Sequence, residues 1–417
     1  MRVPLTMVEK YAVTRTLAEQ YRRAGKVRKG GILDTLCSIT GYSRDHAARL
    51  LRAGPPARVR ARPRRKRPRI YDADVLFALR RIWATLDGIC GKRLVAALPE
   101  MVEAMERCGE LTVSREVREK LLTISAATID RLLAPDRARL ELKGRPGTKP
   151  GTLLKHQIPI RTFAEWDDAH PGFVEIDLVG HDGGVLRGEY CQTLDVTDVA
   201  TGWTETRAVR NKAQVHVFAA VREIRDALPF PLRGIDSDNG SEFINNELKR
   251  YCEQKRITFT RSRAYKKNDG CYVEQKNWSV VRRNVGYARF DTAEELAVLN
   301  ELYAVLREHT NFFMPSAKLV SKTRDGAKVV KRYDEPKTPY ARVLASEHVT
   351  EAAKRRLARH YERLNPVRLK REIAGLQKRL YELVSLKESI RRREVQAPDL
   401  DDIYDESTNV AFDDILR

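Results

Sequence analysis

The stretch GFVEIDLVGH at 172–181 decides the fold class. Its apolar residues Val174, Ile176 and Leu178 alternate with Glu175 and Asp177, the period of a half-buried strand, which places Glu175 and Asp177 on one face. Reading onward, Gly183-Gly184 marks a turn, EYCQTLDVTDV (189–199) a second strand and GWTETRAV (202–209) a third. VHVFAAVREIRDAL (215–228) has helical spacing, LRGIDSD (232–238) is a fourth strand, EFINNELKRYCEQKR (242–256) a second helix and ITFTRSR (257–263) a fifth strand. The loop AYKKNDG then leads into a helix, CYVEQKNWSVVRRNVG (271–286). The order β-β-β-α-β-α-β-α predicts a mixed five-stranded sheet flanked by helices.

Three acids fall where such a sheet converges. Asp177 lies on the first strand, Asp238 at the end of the fourth before an Asn239-Gly240 turn, and Glu274 on the helix, with 35 residues between the last two. Opening a phosphodiester requires activating a hydroxyl, neutralising developing charge and stabilising a leaving oxygen. Two divalent ions about 3.5–4 Å apart serve all three needs, and Mg²⁺ is satisfied by a few carboxylate oxygens plus water. The residues alone leave competitors open: Glu175, Asp195, Asp198, Asp236 and Asp269. Glu175 shares the face of Asp177, and Asp236 that of Asp238, so periodicity does not separate them.

The segments FVEIDLVGH, IDSDNGSEFIN and KKNDGCYVEQKN resemble the three signature segments of the retroviral-integrase superfamily, and look most like bacterial insertion-sequence transposases of the DDE type. The longer phrases TLDVTDVATGWTETRAVRNK and ITFTRSRAYKKNDGCYVEQKN carry the same likeness, which covers about 170–345. The resemblance implies a ribonuclease H-like core. It also implies that Asp177, Asp238 and Glu274 are catalytic and bind Mg²⁺ or Mn²⁺, two ions per site. Asn277 matches the family's V-E-x-x-N pattern and is expected to orient a carboxylate or touch DNA. Lys266, Lys267 and Lys276 are expected near the incoming phosphate, and Arg282 and Arg283 along the DNA backbone. Trp203 and Trp278 read as packing residues. The His-His-Cys-Cys zinc module of retroviral integrases is missing, which favours a transposase.

The N-terminal third supplies charge. The whole chain of 417 residues carries a net +21, and residues 1–70 alone hold 19 Lys/Arg against 4 Asp/Glu. Such a balance selects a polyanionic partner. ILDTLCSITGYSRDHAARLLR (32–52) reads as two short helices about a Gly41-Tyr42 turn with Ser43 as N-cap. This is the helix-turn-helix pattern, which an ordinary helical hairpin shares; Arg44 and Arg49 are its candidate DNA contacts. The following run PPARVRARPRRKRPR (55–69) has eight basic residues, four prolines and no acid, so it reads as an extended arm. Arg58, Arg60, Arg62, Arg64, Arg65, Lys66 and Arg67 are its candidate contacts to phosphate or a narrow minor groove. A second helical pair, VSREVREKLLTISAATIDRLLAP, has Ser125 as N-cap and is expected to end at Pro135.

The expected organisation is a helix-turn-helix domain at 1–54, a basic linker at 55–70, a second helical DNA-binding domain at 71–142 and a linker at 143–165. The catalytic core follows at 166–315, a small β module at 316–348, C-terminal helices at 349–393 and an acidic tail at 394–417. In 365–393 the residues Leu369, Ile373, Leu376, Leu380, Leu383 and Ile390 form a heptad seam, for a coiled coil or for a helix packed on its own protein. No C-x-x-C pair accompanies the six cysteines, and no run of about 18 apolar residues or signal peptide is evident, so no membrane partner and a cytoplasmic, nucleoid-associated protein are expected. The expected function is transposition: hydrolysis at element ends, then attack of the 3′-hydroxyl on target DNA, by a homo-oligomer of at least two subunits acting on terminal inverted repeats. A ribonuclease H-like nuclease and a non-catalytic DNA-binding regulator are the alternatives.

Overall fold

The computed structural model describes residues 5–54, 70–139, 170–237, 243, 246–261, 271–325 and 328–396. The chain divides into two compact units, Met1–Ile70 and Tyr71–Arg417.

The first unit has three helices, α1 (Met7–Arg23), α2 (Lys26–Thr40) and α3 (Arg44–Ala53). Thr6 and Glu9 form a capping box that starts α1, and the Ser43 side chain accepts from the His46 N–H to start α3. Gly41, at φ 71°, takes the left-handed conformation that closes α2, so the Gly-Tyr turn forms as its sequence predicts. Ala18, Leu33, Leu36, Ala47, Ala48 and Leu51 make the core of this unit. Arg44 and Arg49 lie on its exposed surface, and Arg44 pairs with Asp34.

The second unit opens with α4 (Ala73–Thr85), α5 (Gly91–Arg107), α6 (Arg115–Thr123) and α7 (Ala126–Ala138). Ser114 and Ser125 cap α6 and α7. Pro135 does not stop α7, which runs on to Ala138 with the proline inside. So late in a helix the missing N–H forfeits only one bond. These helices are not the separate domain expected at 71–142. Leu79, Ile82, Leu98 and Met105 share one apolar core with Trp203, Phe312, Tyr340, Val343, Leu357 and Leu369 from much later in the chain.

The sheet contains β1 (Phe173–Gly180), β2 (Gln192–Asp198), β3 (Thr204–Val209), β4 (Gly234–Ser237) and β5 (Thr258–Arg261), in the order β3-β2-β1-β4-β5. Strands β1 to β3 form an antiparallel meander, and β4 and β5 run parallel to β1. The crossovers are α8 (Gln214–Ala227) and α9 (Asn246–Lys255). This mixed five-stranded sheet with its helices is the ribonuclease H-like arrangement. Alternation along β1 assigns its two faces. Val174 and Ile176 pack with Val217, Ile224, Leu248 and Cys252 beneath α8 and α9. Val179 faces the opposite core, with Val281, Leu302 and Tyr303.

After β5 come α10 (Cys271–Lys276), a π-helical stretch Asn277–Arg282, α11 (Arg283–Val285) and α12 (Ala293–Phe313), and the last three contribute to that second core. The hairpin β6 (Leu319–Asp325) and β7 (Lys328–Tyr333) follows. Then come α13 (Pro339–Ala345), α14 (Glu351–Arg363) and α15 (Pro366–Gln396). The heptad seam on α15 is a contact within this chain: Ile373 and Leu380 are fully buried against the α12 core, whereas Ile390 is exposed. Lys387, also on α15, hydrogen-bonds Asp291 and Glu295 at 2.6–2.8 Å. Among the described residues no helix is long and apolar enough to cross a membrane.

Candidate active site

Strand β1 carries two acids on one face, and their surroundings tell them apart. Glu175 is buried, and one of its carboxylate oxygens accepts the backbone N–H groups of Tyr272 at 2.8 Å and Val273 at 3.1 Å. Those are first-turn donors of α10, which have no partner inside their own helix. Glu175 is thus a cap supplied from another element, and its charge complements the positive end of the helix. Asp177 is half-buried, two residues along. Asn277 donates to its Oδ2 at 2.6 Å, and the Leu178 N–H donates to its Oδ1 at 2.8 Å.

Glu274 lies between these two anchors. Val273 before it is tied to Glu175, and Asn277 one turn after it is tied to Asp177. The helix is therefore pinned along β1 at both ends of the turn that bears Glu274, whose side chain is exposed. The third acid, Asp238, with Asn239 and Gly240, lies outside the described residues. The strand before it is described: Ser237, its chain neighbour, pairs in register with Ile176, the residue before Asp177. The competing Asp236 is buried, and accepts from the Thr260 hydroxyl at 2.6 Å, a bond that ties β4 to β5.

Behind Asp177 lies a polar layer that sequence reasoning named only as competing acids. Asp195 sits directly across from Asp177 in the β1–β2 ladder and is fully buried. Burial raises its pKa well above the usual carboxylate range, the Lys276 charge opposes that rise, and the Asp177 charge adds to it. Lys276 is itself buried, at 8% exposure, and burial pushes its pKa down to about 8 against the pull of Asp195. The phosphate contact expected of Lys276 is therefore not available: the side chain points into the protein. No pattern of charge reveals this; only helical phase relative to Glu274 and Asn277 does. Asp198, the next acid on β2, accepts from Gly172 N–H and from both the N–H and hydroxyl of Thr201 at 2.6–2.7 Å, so it ties the β2–β3 turn to the start of β1.

The remaining expected DNA contacts divide. Arg282 is half-buried, donates to the Gly180 carbonyl at 2.7 Å and lies over the Tyr287 ring at 4.8 Å, a bracing role between helix and sheet. Arg283 is exposed, and bonds the Asp87 carbonyl. Lys266, Lys267, Arg58, Arg60, Arg62, Arg64, Arg65, Lys66 and Arg67 lie outside the described residues. Trp203 is a packing residue as expected, fully buried with its indole N–H on Glu205. Trp278 is not, with 60% of its surface exposed.

The donor set suits a hard divalent cation. Asp177 and Glu274 offer carboxylate oxygens, and the Asn277 Oδ1 beside them is buried without a hydrogen-bond partner among the described residues. Among the described residues no group of three His, Cys, Asp or Glu is assembled, and the third expected carboxylate, Asp238, is outside them.

Residues 167–267 match the Integrase core domain family. The uncharacterized protein y4rM of Sinorhizobium fredii (strain NBRC 101917 / NGR234) is 43% identical over 338 residues, which span 81% of this chain and 96% of that protein. Among solved structures, the catalytic core domain of BIV integrase is 16% identical with a TM-score of 0.29, covering 42% of this chain and 96% of that one. The HTLV-2 integrase catalytic core domain, in complex with magnesium in a dimeric form, is 13% identical with a TM-score of 0.28, covering 36% and 93%. The chain belongs to the same family as the y4rM protein, and its residues 167–267 carry an integrase core domain.

Proposed function

We propose that the protein is a DNA transposase that hydrolyses the ends of its element and joins the freed 3′-hydroxyl to target DNA. The observation that carries the reading is the pinning of the Glu274 helix along β1, by Glu175 at its start and by Asn277 on Asp177 one turn later. A pure DNA binder has no use for a glutamate-bearing turn held along β1 in this way. Bringing acids together costs repulsion that only a cation or a proton relieves.

In this reading Asp177, Asp238 and Glu274 hold Mg²⁺ or Mn²⁺, two ions per site. These ions supply charge neutralisation at the scissile phosphate and a lowered pKa for the attacking hydroxyl. The protein's own part is positioning. Asn277 fixes the Asp177 rotamer through its Oδ2, and the Leu178 N–H fixes the other oxygen. Glu175 sets how far the helix stands from the strand. Ser237 hands the chain on to Asp238 beside Ile176. At the element end water breaks a phosphodiester to leave a 3′-hydroxyl and a 5′-phosphate; the joining step then exchanges one phosphodiester for another, so it needs no nucleotide cofactor and no covalent enzyme intermediate.

The domain reading belongs to the same proposal. Residues 1–54 bind double-stranded DNA with Arg44 and Arg49 on the exposed side, and the basic arm at 55–70 tracks phosphates. Two element ends need two active sites, so the working form is at least a dimer. The test is to join the DNA flanking the coding segment to a plasmid with purified protein. Mg²⁺-dependent products with recessed inverted repeats at both junctions support transposition. Cleavage without joining assigns a nuclease, and binding without either assigns a regulator.

A further inference from the structure

Trp278 presents most of its surface to solvent rather than to a core. Its ring is 60% exposed, on a helix bonded to β1. Lys276 and Val280, two residues to either side, are buried, and Asn277 is bonded to Asp177. The helix is thus locked, and Trp278 is held outward on a rigid support. It stands four residues after Glu274, one helical turn along on the same exposed side. The Arg283 guanidinium lies 5.9 Å from the ring centroid and is itself anchored on the Asp87 carbonyl. An indole with a cation beside it, one turn from a carboxylate expected to hold metal, is the chemistry that takes an unpaired nucleobase with its phosphate.

We propose that Trp278 is a stacking platform for an unpaired base at the reacting DNA end, with Arg283 on the adjoining phosphate. This rests on the transposase reading above and extends it to how the end is presented. To reach carboxylates lying on a sheet face, the terminal nucleotide must leave the duplex, and a freed base exposes its π-face. An aromatic platform offsets the unpairing without reading sequence, because every base has such a face.

The test uses the full chain and two probes, a duplex with a short single-stranded thymidine 3′ tail and the same duplex blunt-ended. The expected result is that the wild type binds the tailed probe more tightly, with quenching of tryptophan emission. Trp278→Ala should lose about 5- to 100-fold on the tailed probe alone, and Trp278→Phe should recover part of the preference. Glu274→Gln should keep the preference while losing joining. A tail preference unchanged in Trp278→Ala, or absent in the wild type, overturns the platform. So does a change of oligomeric state in Trp278→Ala by sedimentation, which would give the ring to a second copy of the chain. If the preference holds but wild-type protein joins no DNA, the platform stands and the transposase reading falls.

Discussion

Removing the Glu175 carboxylate should loosen the start of the helix that carries Glu274. The carboxylate receives two backbone N–H groups at 2.8 and 3.1 Å in a buried position. Hydrogen bonds to a charged group contribute about 1.5–3 kcal/mol each, and a lost helix cap costs up to about 2 kcal/mol where water can replace it. Relaxation at the helix end recovers part of the gross loss. For Glu175→Ala a net cost of about 2–3 kcal/mol is expected, felt locally, or roughly 30- to 150-fold faster amide exchange at Tyr272 and Val273. Glu175→Gln keeps an acceptor of the same shape, and should lose about half of that. Asp177→Asn, which alters the bonds from the Asn277 amide and the Leu178 N–H but leaves the Glu175 carboxylate in place, should leave exchange at Tyr272 and Val273 near the wild-type rate. Hydrogen–deuterium exchange with peptides covering 271–283 reads all three. Unchanged protection in Glu175→Ala would refute the assignment of Glu175 as a cap.

Other consequences are open to measurement. His181 is fully buried on Thr193, which in turn bonds Tyr303, and burial with the nearby Arg282 charge pushes its pKa down to about 3. The unfolded chain takes up that proton first, near 6.5, so this contribution to stability is complete above pH 6.5 and is lost as pH falls toward 3. The loss is on the order of 4 kcal/mol at most, and denaturant titrations of His181→Gln should show a flatter acid limb. Leu380→Ala, on the buried side of α15, should cost about 2–5 kcal/mol, whereas Ile390→Ala on the exposed side should cost almost nothing; equal effects would restore the coiled-coil alternative. In DNA binding, Lys276→Met should leave the salt dependence of affinity unchanged because its charge is buried, while Arg283→Ala should lower the slope by about 0.9 for a lost phosphate contact.

The succession of strands and helices along 172–286 is readable because alternation and helical spacing are local. The seam on α15 was readable too, but its partner was not: the spacing of Leu369, Ile373, Leu376 and Leu380 is the same for a coiled coil and for packing on α12. What stayed hidden is tertiary. Glu175 and Asp177 have the same period and the same chemistry. What tells them apart comes from a helix nearly a hundred residues later, two backbone N–H groups for one and the Asn277 amide for the other. Lys276 looked like a phosphate contact by charge and proximity to Glu274, yet its helical phase turns it toward Asp195. The same phase turns Trp278 outward. The helices at 71–139 read as a free-standing module because each half of a shared core is apolar by itself.

The most direct test of the carboxylate site compares three near-isosteric variants in one joining reaction, with wild-type protein, DNA carrying both element ends, and Mg²⁺. Asp177→Asn and Glu274→Gln should abolish joined product while binding the ends as tightly as the wild type, and Glu175→Gln should still join, at a reduced rate. Full-rate joining by Asp177→Asn or Glu274→Gln would contradict the assignment, and abolition by Glu175→Gln alone would move the catalytic acid two residues back along β1.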